Sequence, residues 1–283
     1  MSASLPPDWR AWPLERLERE YSPSSRVSAL GPLLDAYRTR SEAAHAALRC
    51  ATLAYGDDPD EAIDVFPAGA DAPLIVWVHG GYWQELSRRD SAFGALDAVP
   101  RGIAWAAVGY TLAPRASLAR IVDQVRRAVR ALASGAADLG VDRRRIWLAG
   151  SSAGAHLAAM ALLDAGAARP AGALLLSGVY DLRPLVPTYV NRALGLDEAR
   201  AWAASPLSHP MPPTGPVLVA WGEHETASFV AQSRAFATAL GPAATTLEVA
   251  GRNHFDVVHD LADAATPLGS VVDRMIGPAR RDG

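Results

Sequence analysis

Lysine is absent from the sequence, and all 27 basic residues are arginines. A lysine amine forms Schiff bases, binds phosphate in the P-loop and activates the serine of Ser–Lys dyads. The chain therefore cannot supply the side chain on which any of these three chemistries depends.

Cysteine and long apolar runs are also scarce. Cys50 is the single cysteine, so no disulfide can form within the chain. Asp164 interrupts the richest apolar stretch before it reaches the length of a membrane span. Met1–Arg10 lacks the charged-then-apolar pattern of a signal peptide. We therefore expect a cytoplasmic protein without membrane contact.

The net charge of -3 gives no basic footprint, which argues against nucleic acid as a partner. With 283 residues, half of them hydrophobic, the chain can bury the core of one α/β domain, and we expect residues 1–283 to form it. Short apolar runs alternate with helical patterns, which predicts a mostly parallel, doubly wound sheet flanked by helices. The runs predicted as its parallel strands are Leu74–Val78, Arg101–Tyr110, Ile146–Ala149, Ala173–Leu176, Pro216–Trp221 and Leu247–Val249.

The central motif is Gly-Ser-Ser-Ala-Gly, residues 150–154, between a buried apolar run and a stretch of good helix formers. Glycines flank Ser152 at the positions where a side chain would crowd the neighbouring backbone. This pattern favours a strand, a tight turn and a helix, with the Ser152 hydroxyl exposed on the turn as a nucleophile.

A second motif, His-Gly-Gly-Tyr-Trp, follows the run that ends at Val78. Two glycines after a buried strand allow backbone N–H groups to turn toward one point and stabilise an oxyanion. We predict the N–H groups of Gly81, Tyr82 and Ala153 as these donors. Tyr82 and Trp83 offer aromatic surface for a substrate, although both could instead pack in the core. His79 fits a role in bracing the loop better than a catalytic one.

A base and an acid complete the candidate site. His254 follows the last predicted strand and is the expected base, while His259, inside the predicted terminal helix, is the weaker candidate. Glu225 is the expected acid that orients the imidazole, with Glu223 in the same loop as its competitor. Spacing alone does not decide between the two glutamates.

Two further segments lie outside the alternating pattern. Residues 1–60 read as an N-terminal helical arm, with helices over Pro13–Glu20 and Leu30–Leu48, and Ala62–Phe66 is typical of an edge strand. The proline-rich residues 182–213 around one short helix predict a small cap or pocket wall.

These motifs together resemble the kynurenine formamidase (arylformamidase) branch of the α/β-hydrolases, near the hormone-sensitive-lipase-like esterases. The resemblance is carried by His-Gly-Gly-Tyr-Trp from His79, Ile-Val-Asp-Gln-Val from Ile121, Gly-Ser-Ser-Ala-Gly-Ala-His-Leu from Gly150, the 222–229 loop and His-Phe-Asp-Val-Val from His254. It implies an α/β-hydrolase fold and a serine hydrolase, without metal or cofactor, that acts on N-formyl-L-kynurenine or a related aryl formamide. The acid loop departs from the common pattern, since Glu225 stands where Asp is frequent.

Other functions stay open at this point. The branch also holds esterases of unrelated small substrates, so a short-chain carboxylesterase is the first alternative. A catalytically silent hydrolase fold that binds a ligand or partner is the second. The sequence also leaves a homodimer open.

Overall fold

The fold is seen in a computed structural model, which describes residues 9–164, 169–212 and 214–277. The ends of the predicted 1–283 domain, and Pro213 at the end of the predicted cap, lie outside the described residues. Among the described residues, no helix combines the length and apolarity needed to cross a membrane.

One eight-stranded sheet organises the molecule, in the order β1-β2-β4-β3-β5-β6-β7-β8. The pairs β1/β2 and β2/β4 are antiparallel, and every other neighbouring pair is parallel. The mostly parallel sheet is therefore confirmed. The strands are β1 Ala51–Ala54, β2 Ala62–Phe66, β3 Ala72–Val78, β4 Ala104–Val108, β5 Val141–Ser151, β6 Gly172–Leu176, β7 Val217–Gly222 and β8 Ala244–Val249.

Helices cover both faces of this sheet. Successive residues of β3 point to opposite faces, so Leu74 and Val76 belong to one apolar cluster, and Ile75 and Trp77 to another. This double burial explains why the central strands read as continuous apolar runs. The helices are α1 Leu14–Glu20, α2 Gly31–Ala47, α3 Ala95–Ala98, α4 Leu118–Ser134, α5 Ala153–Leu162, α6 Asn191–Leu194, α7 Glu198–Ala203, α8 Ala227–Leu240 and α9 Pro267–Ile276.

The edge of the sheet differs from the prediction. Ala62–Phe66 is not an edge strand: all its residues are buried, and it lies between β1 and β4. The outer strand is β1, which falls inside the segment predicted as a helical arm. Asp64 supplied the polar residue that suggested an exposed face. Its carboxylate is buried, and two contacts compensate for the loss of water: Thr52 Oγ1 donates a 2.7 Å hydrogen bond to it, and Arg88 Nε lies 3.3 Å from it.

The segment after β6 contains two α-helices, α6 and α7, where the sequence predicted one. Two 3₁₀ turns, Arg183–Leu185 and Pro206–Ser208, flank them. Tyr189 and Val190, just before α6, line the same cavity as Ser152.

Candidate active site

Ser152 lies on the turn between β5 and α5, at the carboxyl edge of the sheet. Its backbone has φ 57° and ψ -122°, a left-handed conformation that costs a non-glycine residue about 1–3 kcal/mol. Two hydrogen bonds hold it there: Ser152 N donates to Leu176 O at 2.9 Å, and His156 N donates to Ser152 O at 3.1 Å. The predicted strand–turn–helix geometry is present.

Gly150 and Gly154 allow the backbones of β3, β5 and α5 to approach one another closely beside Ser152. A Cβ atom on Gly154 would overlap the carbonyl oxygen of Val78, at the end of β3. A Cβ on Gly150 would lie 2.5 Å from the carbonyl carbon of Gly154. Helix α5 can therefore approach strand β3 only because both residues lack a side chain.

The loop after β3 passes directly beside Ser152. A Cβ atom on Gly80 would lie 3.3 Å from that of Ser152. Gly81 has φ 90° and Tyr82 has φ 48°, and Gly81 O accepts hydrogen bonds from Gln84 N and Glu85 N, both at 2.9 Å. Among the described residues, the N–H groups of Gly81, Tyr82 and Ala153 have no hydrogen-bond acceptor.

His254 is paired with Glu225. Its Nδ1 donates to Glu225 Oε2 at 2.9 Å, and the edge of its ring contacts Phe229 with the ring centroids 4.6 Å apart. Glu225 Oε1 accepts two more hydrogen bonds, from Ser177 Oγ at 2.5 Å and from Gly222 N at 2.7 Å. His254 and Ser152 both line the same cavity.

The alternative candidates lie elsewhere. Glu223 is exposed, and its Oε2 accepts from Gly251 N at 2.8 Å instead of meeting His254. His259 packs edge-on against Tyr37, with ring centroids 5.4 Å apart, and does not line the cavity. The structure therefore pairs His254 with Glu225 beside the cavity that Ser152 also lines, and it places Glu223 and His259 outside the cavity lining.

The cavity has a volume of about 260 Å³, and its lining includes a cluster of aromatic side chains as well as Ser152. Tyr37, Trp77 and Phe93 form this cluster, and the Tyr37 hydroxyl donates to Phe255 O at 2.5 Å. The sequence prediction missed all three. Tyr37 comes from α2 in the N-terminal arm, and no local pattern connects it to a loop more than two hundred residues away.

Tyr82 and Trp83 are neighbours in the sequence, but their side chains lie in different parts of the structure. Tyr82 lines the cavity, and its hydroxyl donates to Tyr21 O in the arm at 2.5 Å. Trp83 is fully buried, contacts the ring of His156 edge-on at 5.1 Å, and is not part of the cavity wall. The predicted substrate contact of Trp83 is thus contradicted, because the left-handed turn at residues 81–83 directs this side chain into the core.

Ser177 was also missed as a site residue. It follows β6 directly, has φ 52°, and gives its hydroxyl hydrogen to Glu225. A polar residue immediately after a buried parallel strand is the signal that could have identified it. Within the described residues, no group of three or more His, Cys, Asp or Glu side chains is arranged to hold a metal ion.

The sheet order, the strained serine turn and the base–acid pair at the carboxyl edge define an enzyme of the α/β-hydrolase class. Residues 65–172 match the BD-FAE family. Kynurenine formamidase of Danio rerio is 33% identical over 95% of this chain and 99% of its own, and that of Drosophila melanogaster 31% identical over 74% and 76%. The chain belongs to the kynurenine formamidase family.

Solved structures agree with this fold. A Silicibacter sp. tm1040 protein, provisionally described as a thioesterase, superposes with a TM-score of 0.81 at 29% identity, over 90% of this chain and 98% of its own. The metagenomic carboxylesterase EstE1 superposes with a TM-score of 0.72 at 21% identity, over 95% and 99%.

Proposed function

We propose that the protein is a serine hydrolase that removes a formyl or similarly small acyl group from an aromatic amine, with N-formyl-L-kynurenine as the representative substrate. The observation that carries the proposal is the hydrogen bond from His254 Nδ1 to Glu225 Oε2 at 2.9 Å, beside a cavity shared with Ser152. The names of the relatives support formamide cleavage, and the aromatic side chains in the cavity lining support an aryl leaving group.

The reaction proceeds in two acyl-transfer steps. His254 Nε2 takes the hydroxyl proton of Ser152 while Oγ attacks the acyl carbon, and Glu225 stabilises the imidazolium that forms. The N–H groups of Gly81, Tyr82 and Ala153 hydrogen-bond the oxyanion. His254 then protonates the leaving amine, and water repeats the sequence on the acyl-serine.

Substrate choice follows from the space around Ser152. A cavity of about 260 Å³ that accommodates the aryl group of a substrate has little room left for a long acyl chain. Each methylene that clashes or stays in water changes discrimination by about 1–3 kcal/mol. We expect kcat/KM of p-nitrophenyl esters to fall steeply from acetyl to octanoyl.

Rates with N-formyl-L-kynurenine and with p-nitrophenyl acetate and octanoate test this proposal. The formamide and the acetate should be cleaved, and Ser152→Ala should abolish both reactions. Octanoate turnover equal to acetate turnover would contradict the small acyl site. Cleavage of esters without formamides would favour a short-chain carboxylesterase, a function supported by esterase LipQ of Mycobacterium tuberculosis, which is 32% identical over 76% of this chain.

The cytoplasmic location, the small-molecule partner and the homodimer remain predictions from the sequence. Cell fractionation and light scattering of the purified protein are the measurements that decide the location and the oligomeric state.

A further inference from the structure

The turn that carries two of the proposed oxyanion donors has an unusual backbone. Gly81, Tyr82 and Trp83 have φ values of 90°, 48° and 62°, so three consecutive residues lie in the left-handed region. Glycine adopts this region readily, but residues with a side chain populate it sparsely. Such a conformation persists only where the surrounding structure fixes it. The contacts of this turn therefore decide where its N–H groups point.

One of these contacts comes from the N-terminal arm. The Tyr82 hydroxyl donates a 2.5 Å hydrogen bond to Tyr21 O, at the end of helix α1. Two other bonds hold backbone atoms of the turn: Gln84 Nε2 donates to Tyr82 O at 3.1 Å, and Ala113 N donates to Trp83 O at 2.8 Å. Within the described residues, the Tyr82 hydroxyl makes the only hydrogen bond from a side chain of the turn.

Tyr21 is a fixed anchor for that bond. It is 1% exposed, its ring packs against Phe229 with the centroids 6.1 Å apart, and its hydroxyl accepts from Gln232 Nε2 at 3.2 Å. At the start of the same helix, α8, Thr226 Oγ1 donates to Glu20 O at 2.6 Å. The carbonyl of Tyr21 is therefore held against α8, the helix that follows the loop of the acid.

We propose that the Tyr82 hydroxyl is a positioning group of the active site. Through its bond to Tyr21 O, the N-terminal arm holds the turn in the geometry that aims the Gly81 and Tyr82 N–H groups at the oxyanion. This inference rests on the proposed function, because the oxyanion belongs to that reaction. Donors that are held in place stabilise an oxyanion without reorganising during the reaction. A loosened turn therefore loses transition-state stabilisation and leaves the binding of substrate largely unchanged.

Tyr82→Phe tests the positioning role, because it removes the hydroxyl and keeps the ring. Complete loss of one oxyanion donor lowers kcat by about 10²–10³-fold, so a displaced donor should cost part of this, about tenfold. KM for p-nitrophenyl acetate should change little, since the ring that lines the cavity is retained. A kcat equal to that of wild type would overturn the inference.

Tyr55→Phe controls for stability. The Tyr55 hydroxyl also donates to a backbone carbonyl, Gly109 O at 2.6 Å, and Tyr55 does not line the cavity. Both variants lose a bond between a hydroxyl and a carbonyl, so the midpoints of urea unfolding should fall by similar amounts. Only Tyr82→Phe should lose kcat. The same loss of kcat in both variants would attribute it to stability and contradict the positioning role.

Two inhibitors report on the oxyanion donors directly. Ser152 Oγ adds to the carbonyl carbon of benzyl trifluoromethyl ketone, the hydroxyl proton passes to His254, and the former carbonyl oxygen becomes the oxyanion. Benzyl methyl ketone has a similar shape and binds without forming this adduct. In Tyr82→Phe, the Ki of the trifluoromethyl ketone should rise about tenfold, in step with kcat, and that of the methyl ketone should stay constant. Equal changes for both ketones would contradict the inference.

Hydrogen exchange separates this inference from the proposed function, because it requires no turnover. Gln84 N and Glu85 N donate to Gly81 O, so exchange of these two amides reports opening of the turn. It should be about tenfold faster in Tyr82→Phe and unchanged in Tyr55→Phe. That result supports the positioning role even if no formamide or ester is cleaved, in which case only the proposed function fails. Unchanged exchange in Tyr82→Phe contradicts the inference, whatever the substrate.

A second variant loosens the anchor instead of the turn. Tyr21→Leu keeps the carbonyl but removes the ring that packs on Phe229 and the hydroxyl that Gln232 holds. Exchange of the same two amides should become faster. Adding this change to Tyr82→Phe should give no further increase, because both changes break one connection. Additive increases, or no increase in Tyr21→Leu, would contradict an anchor at Tyr21.

Discussion

Glu225 is held by hydrogen bonds that fix which of its oxygens faces His254. Oε1 is occupied by Ser177 Oγ and Gly222 N, so only Oε2 is available to the imidazole. The proton on His254 Nδ1 is therefore fixed by Glu225, and Nε2 is left free to accept.

Replacing Glu225 with glutamine should reverse this arrangement. The amide oxygen would stay with Gly222 and Ser177, and the amide NH₂ would then face His254 Nδ1. The imidazole would have to accept there and carry its proton on Nε2, where it cannot act as a base. We expect kcat to fall by about 10³–10⁴-fold with little loss of stability.

Glu223→Gln is the matched control, because it makes the same change in the same loop on a side chain whose hydrogen bond, among the described residues, is with Gly251 N and not with His254. Steady-state kinetics and urea unfolding of both variants give the answer. A larger loss of kcat in Glu223→Gln than in Glu225→Gln would assign the acid role to Glu223.

Individual residues could be predicted from the sequence where a short motif fixes the backbone. Ser152 and the Gly81–Tyr82 turn are of this kind, because glycine spacing and a buried strand constrain only a few neighbouring bonds. Trp83 shows the limit of such reasoning. It follows Tyr82 directly, yet the backbone turn sends one side chain into the cavity and the other into the core.

At the scale of elements, the close packing of α5 on β3 is the critical contact. Gly154→Ala would place a methyl group against the carbonyl oxygen of Val78, and neither backbone can move without displacing Ser152. We expect the free energy of unfolding to fall by about 1–3 kcal/mol, together with a loss of activity.

Gly31→Ala, in helix α2, is the control variant for Gly154→Ala. Gly31 begins α2 and has open space where the new methyl group would lie. Its unfolding in urea should match wild type within about 0.5 kcal/mol. Destabilisation of the two variants by the same amount would contradict the packing explanation for the motif glycine.

The parallel strands could be predicted from the sequence. The edge strand of the sheet and the contacts of the N-terminal arm could not. Strands buried on both faces leave an apolar run that is visible locally, as in β3. The outer strand β1 is largely exposed and too short to give a pattern. The arm is attached by hydrogen bonds across long sequence separations, such as Thr226 Oγ1 to Glu20 O at 2.6 Å, and local sequence carries no information about those.

At the scale of the whole molecule, buried histidines connect stability to pH. Burial lowers the pKa values of His79, His156 and His259 from 6.5 to about 4. In the unfolded chain these groups take up protons near pH 6.5, while in the folded protein they stay neutral. The contribution of these histidines to the free energy of unfolding is therefore complete above pH 6.5, and it is lost as the pH falls toward 4.

Urea unfolding between pH 8 and pH 4 measures this effect. Each fully buried histidine should add a slope of up to about 1.4 kcal/mol per pH unit below pH 6.5. His156→Gln should reduce the slope, and His224→Gln, at an exposed position, is the matched control. A free energy of unfolding that does not change over this range would contradict the prediction.

The central claim is that Ser152 is the nucleophile, activated by His254 and Glu225. Labelling with a fluorophosphonate, followed by peptide mass spectrometry, tests it most directly. We predict one equivalent of label on Ser152, none in Ser152→Ala, and strongly slowed labelling in His254→Ala, with both variants folded by circular dichroism. Label on another residue, or undiminished labelling of Ser152→Ala, would contradict the assignment.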